Sequence, residues 1–301
     1  MSRALRTVAL VARHELTDSV RSRRVLVLVL LYLAGSIAAT AIFITVLQKI
    51  EGQLVTTLGV APSGQTGNVT ATLWKSNAFR EILIHLIGDR ALAKSLLSVP
   101  PLALFYGWLS FAFAPLLIML TSSTRVSEEI WSGSARFVLF RISRLHWIFG
   151  KFAGQAVQLL AALLLSAAGA WVTGLLRMHS FEPLASAQAM LLFSVKAWIY
   201  SLAFLGLATA ISQLCAGPNL AVVFGFLALI GMTIVAAVSE HFAGDGLRRL
   251  WDAVNILTPE SHRMDLWWGD LSHFVPATVF LVTLAALYLL AGYARFARRN
   301  L

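Results

Sequence analysis

The chain is short of charge. Only 13% of its 301 residues are Asp, Glu, Lys or Arg, against about 25% in a soluble domain. That leaves too little polar surface to coat a soluble core. Cysteine is nearly absent too: the single Cys215 excludes an intramolecular disulfide framework and any multi-cysteine metal site. A Gly-x-x-x-x-Gly-Lys-Ser/Thr phosphate loop is missing. Gly150-Lys151 comes nearest, but Leu145 stands where the first glycine belongs and Phe152 where the hydroxyl belongs, so ATP hydrolysis by that route is excluded. Gly-x-Ser-x-Gly, His-Glu-x-x-His and tight Cys/His clusters are missing as well. What remains is apolar: 58% of residues are hydrophobic and the mean hydropathy is +0.77. The composition specifies an integral membrane protein.

Six apolar runs are long enough to cross a hydrocarbon core as helices: 25–47, 101–121, 152–176, 189–214, 219–238 and 274–296. None is a short alternating segment of the kind that builds a membrane β-barrel. The expected fold class is therefore all-α, with six transmembrane helices in a single domain over 1–301. With the N-terminus inside, the inner pieces are 1–24, 122–151, 215–218 and 297–301. Counting Arg295 with the last, they hold fourteen basic and four acidic residues, which accounts for the whole net charge of +10. This is the positive-inside pattern, and it places both termini in the cytoplasm. A nucleic-acid patch would need a clustered soluble surface, and the sequence has no soluble domain to hold one. Cleavage of the first span as a signal peptide is disfavoured, because its apolar run exceeds the usual 7–15 residues.

Leu5, Val8, Ala12, Leu16 and Val20 recur at helical spacing, with Arg3, Arg6 and Arg13 elsewhere on the wheel. An interfacial helix is expected there, with these arginines and Arg21, Arg23 and Arg24 facing anionic head groups of the bilayer. Residues 48–100 form the largest outside segment. Its first half is rich in Gly, Thr and Ser and is expected to be irregular. Its second half has apolar residues at Phe79, Ile82, Leu83, Leu86, Ala91, Leu92 and Leu96, predicting one or two amphipathic helices. In the outside loop 239–273, Trp251, Trp267 and Trp268 suit a membrane–water interface. His241, Asp245, Glu260, His262, Asp265 and His273 share that loop, but their spacing matches no ligand signature, so no metal site is expected. Lys196 lies about seven residues inside the outer end of the fourth span, roughly 10 Å deep. It is a pathway candidate or a lysine snorkelling to the outer head groups. Ser166, Ser194, Ser201 and Thr209 are expected to serve helix packing.

The segment Ser127–Phe152 stands apart. Leu139, Phe140, Ile142, Leu145, Trp147 and Ile148 can line one side of short helices, with Arg136, Arg141 and Arg144 on the other. Topology explains the arginines. It does not explain large apolar and aromatic residues in an inside loop, whereas a docking surface for a partner explains both.

Glu129, Gly133-Ser134, Phe137-Val138-Leu139, Ser143-Arg144 and Gly150-Lys151-Phe152 together resemble the cytoplasmic loop of ABC-2 type ABC transporter permeases. The stretch Ala12–Tyr32 is similar to that family's amphipathic elbow helix, and "ILTPESHRM" to a segment before its last span. Two features depart from the pattern: Arg141 stands where the family has proline, and the Gly133-to-Lys151 spacing is one residue short. The resemblance implies one transmembrane half of a transporter, paired with a second copy or a paralogue as a dimer. It implies a separate ATPase subunit that binds ATP and Mg, docked on a coupling helix in 122–151, with no cofactor on this chain. The docking residues it implies are Glu128, Glu129, Gly133, Phe140, Arg141, Arg144, Trp147, Gly150 and Lys151, in a bacterial inner membrane protein. A membrane anchor binding a partner through its outside loops is the alternative, and an intramembrane enzyme a third reading.

Overall fold

The computed structural model describes residues 3–58, 90–178, 181–241 and 254–299. The expected helices around Phe79–Leu86, together with Asp245 and Trp251, lie outside the described residues, as do the side chains of Arg3, Arg24 and His241. In chain order the helices are α1 (Arg3–Arg21), α2 (Arg23–Leu58), α3 (Arg90–Leu97), α4 (Pro101–Ser122), α5 (Arg125–Trp131), α6 (Ser134–Leu139), α7 (Arg144–Arg177), α8 (Pro183–Leu214), α9 (Pro218–His241) and α10 (Leu271–Phe296). Two 3₁₀ turns, Pro259–His262 and Met264–Trp267, precede α10. No strand occurs among the described residues. Six stretches are long and apolar enough to span a membrane: 25–50, 101–131, 144–177, 183–214, 218–237 and 271–296. The protein is a multi-pass, all-α membrane protein.

Helix ends depart from the apolar runs. α2 has 36 residues, about 54 Å at 1.5 Å per residue, so it outruns a hydrocarbon core of roughly 30 Å. Residues 52–58, the start of the stretch expected to be irregular, continue α2 as helix, and the rest of that stretch lies outside the described residues. α7 begins at Arg144 and α8 at Pro183, each several residues before its apolar run. Pro183 and Pro101 occupy first helical positions, where the missing N–H costs nothing.

The chain divides into two compact units. One comprises 30–110 and 162–195. In it Tyr106 donates to the Leu163 carbonyl at 2.7 Å and lies 3.2 and 3.1 Å from the hydroxyls of Ser166 and Ser194. Phe43 stacks on Phe105, and Gln48 bonds the Arg177 carbonyl. The other comprises 1–29, 111–161 and 196–301 and contains the whole Ser127–Phe152 segment. There α8 and α10 approach at small residues, Gly206 against Ala285 and Gly292 against Ala210, as packing in lipid favours.

Candidate functional site

The site is the helical pair α5–α6 at the charge-rich end of the second unit. α5 stops because Gly133 takes φ +74°, a left-handed conformation that costs glycine little. A Cβ there would meet open space, so the backbone angle, not crowding, calls for glycine. α6 restarts at Ser134.

The apolar face expected to meet a partner divides in two. Its larger part turns inward. Trp147 is 2% exposed and Ile148 is buried, in a core with Val11, Val126, Ala135, Leu289 and Phe296; Ile130, Val138, Leu139 and Ile142 pack around it. The Trp147 and Phe296 rings lie 5.8 Å apart. Arg144 donates to the carbonyls of Phe296, Ala297 and Arg299 at 2.9, 2.8 and 3.0 Å, and its guanidinium sits over the Phe296 ring. It closes the C-terminal end of α10, where carbonyls lack helical partners and a cation is favoured. Of the two residues expected at a docking surface, Trp147 is therefore buried in the core, and Arg144, partly exposed, is engaged with the end of α10.

Lys151 and Gly150 are inside as well. The Lys151 ammonium is buried, 2.7 Å from Glu15 of α1 and 2.5 Å from Glu129 of α5. Arg125 of α5 adds contacts to Glu15 at 3.8 Å and Asp18 at 3.5 Å, and Gln155 donates to Glu15. The close approach of α1 to α7 depends on Gly150 and Gly154. A Cβ on either would overlap the Val11 or Glu15 side chain and crowd the α1 backbone. Burial works against the Glu15 carboxylate, but Lys151 outweighs it by charge and by hydrogen bond, with help from Arg125 and Gln155, and holds the carboxyl below its ordinary 4.5. This contribution to stability is complete above pH 4.5 and is lost as pH falls through the lower folded value. Glu15→Gln is expected to remove that acid dependence, read from unfolding midpoints between about pH 3 and 6.

What stays outside is compact. Phe140 is 88% exposed, Phe137 77% and Trp131 73%, with Arg136 and Arg141 exposed beside them. Phe137, Val138, Phe140, Arg141 and Ile142 line an open groove of about 550 Å³. Glu128 and Glu129 are partly exposed on α5. Of the expected docking residues, the surface thus presents Phe140 and Arg141 as exposed, and Glu128, Glu129, Gly133 and Arg144 in part. Phe137 and Trp131 were not among them; Phe137, three residues before Phe140, shares its helical face. Glu15 was missed because only the Gly150-x-x-x-Gly154 spacing hints that another helix packs there. On α1 itself Arg6 and Arg13 are exposed, with Arg21 and Arg23 at the following turn, next to exposed Leu5 and Val20, an arrangement suited to a membrane surface.

At the opposite end of the same unit, Lys196 is 5% exposed and donates to the Trp268 carbonyl at 3.0 Å. Tyr200, one turn on, donates to Glu260 at 2.6 Å, and Glu260 pairs with Arg263 at 3.2 Å. His262 bonds Asp265, and His273 stacks on Trp268. Among the described residues no three His, Cys, Asp or Glu side chains converge on a metal-sized site.

Residues 9–301 match the family model described as ABC-2 family transporter protein. No curated protein matches the chain.

Proposed function

The chain belongs to the ABC-2 family of transporter proteins, and from that premise we propose that it is the permease half of an ABC transporter, driven by a separate ATPase docked on α6. One observation carries this reading. Phe137 on α6 and Phe140 at its end stand exposed, while Ala135 beside them is buried and Val138 and Leu139 pack inward, in a segment whose basic residues fit the cytoplasmic side. An apolar aromatic patch rimmed by arginines is the composition of a partner surface.

In this reading both termini are cytoplasmic in a bacterial inner membrane, α1 is the elbow helix, and a second copy or a paralogue completes the dimer. ATP and Mg bind the partner subunit, which supplies the phosphate loop this chain lacks. The docking set narrows to Trp131, Arg136, Phe137, Phe140 and Arg141, with Glu128 and Glu129 at its edge. Gly133 sets the angle at which α6 is offered.

The test is purification of the tagged chain in mild detergent from its own membrane, with ATP hydrolysis assayed in the eluate and the retained subunit identified. Wild type is expected to retain an ATPase bearing a phosphate loop. Phe137→Ala with Phe140→Ala should lower the retained activity by at least about tenfold, since hot-spot aromatics each contribute roughly 2 kcal/mol. Retention unchanged in the double variant would sink the docking assignment.

A further inference from the structure

Taking the transporter reading as given, we propose that α8 is the rod carrying movement of the docked α5–α6 pair to the outside-facing turns 259–267, with Ser212 and Tyr200 as its positioning residues. At its charge-rich end the Ser212 hydroxyl accepts the backbone N–H of both Val126 and Ser127, each at 3.0 Å. All three residues are fully buried. These are N–H groups of the first turn of α5, which have no partner within their own helix. The residue that would ordinarily cap them, Thr124, makes no side-chain cap bond. A side chain from α8 does so instead. If α5 slid past α8, two buried donors would be stranded, so the two elements move together. Lys151 and Arg125 hold the same α5 to α7 and α1, while α6 hangs beyond Gly133 with Phe137 and Phe140 exposed.

The other end of the rod is gripped in the same way. Tyr200 is twelve residues up α8, about 18 Å at 1.5 Å per residue, with no proline between. Its buried hydroxyl donates to Glu260 in the first 3₁₀ turn. Lys196 one turn further holds the carbonyl of Trp268, just past the second. Phe111 bridges the two, its ring 5.2 Å from Tyr200 and 5.5 Å from Trp267. One continuous helix thus carries a polar attachment to the coupling segment and another to the outside turns, and the hydroxyls of Ser212 and Tyr200 are replaceable one at a time.

The experiment uses the permease with its bound ATPase in liposomes, Cys215→Ser to remove the single cysteine, and Met264→Cys as reporter on an exposed turn residue. Labelling by a membrane-impermeant maleimide is timed without nucleotide and with ATP, Mg and vanadate. In the otherwise unaltered background the rate should change roughly tenfold, within the usual range for coupled sites. Ser212→Ala and Tyr200→Phe should each bring that ratio close to one, with the ATPase still bound and still hydrolysing ATP. Ser212→Thr, which keeps the hydroxyl, should restore the response. A full response in Ser212→Ala or Tyr200→Phe overturns the proposal, and so does a Ser212→Thr that fails to rescue. Release of the ATPase by Ser212→Ala also overturns it, by making Ser212 part of the dock. An unaltered background that retains ATPase but shows no nucleotide response overturns the rod alone; one that retains no ATPase overturns the transporter reading with it.

Discussion

Lys151→Ala is expected to destabilise the protein by about 3–5 kcal/mol, the range found when one member of a buried ion pair is removed. The ammonium touches two carboxylates from two other helices, Glu15 and Glu129. Without it, Glu15 is left almost fully enclosed, with Arg125 at 3.8 Å and a long bond from Gln155 as remaining support. Glu129 is partly exposed and can recover its loss from solvent, so Glu129→Gln should cost only about 1 kcal/mol. Removing both buried members, as in Glu15→Leu with Lys151→Met, should recover much of the single-variant loss, because the main cost is an unpaired buried charge. Unfolding midpoints in detergent of the wild type and these three variants provide the measurement. A Lys151→Ala protein within about 0.5 kcal/mol of wild type would show that the three helices are held by packing alone.

The spans were legible because hydrocarbon imposes one rule on every residue within it: long apolar runs must be helical. The same rule says nothing about where a helix stops once it leaves lipid. α2 continues to Leu58 and α7 starts at Arg144, both in sequence that hydropathy reads as loop. Gly133 entered only as a docking residue implied by the family resemblance; the break it makes between α5 and α6 shows in its left-handed φ of +74°. Arg144 was misplaced because an arginine that closes a helix end and one that meets a partner look identical in sequence; the carbonyls it serves lie 152 to 155 residues away. The Glu15–Lys151 pair spans 136 residues, and no local pattern joins them. Ser212 gave no signal at all, since a serine in a span ordinarily bonds its own helix.

Trp147→Ala should cost about 3–5 kcal/mol, the usual loss on emptying a buried tryptophan site, and Phe140→Ala no more than about 0.5 kcal/mol. Sequence alone ranks the two aromatics together, seven residues apart in one amphipathic loop. The structure separates them by environment. Trp147 fills the core between α7 and α10, against Phe296 and under the Lys151 ammonium. Emptying it removes the packing on which Arg144 and the end of α10 rest. Phe140 has almost nothing of its own chain to lose. Its exposed ring is also an energetic liability in water, which a covering partner would relieve. The two variants should therefore part in opposite directions. On the proposed docking, Trp147→Ala should lower the thermal midpoint while its surviving folded fraction still retains the ATPase, and Phe140→Ala should keep the midpoint and weaken retention. Trp147→Phe, which refills part of the site, should fall between wild type and Trp147→Ala in midpoint. A Trp147→Ala chain that melts like wild type but sheds the ATPase would restore this residue to the docking surface and remove it from the core.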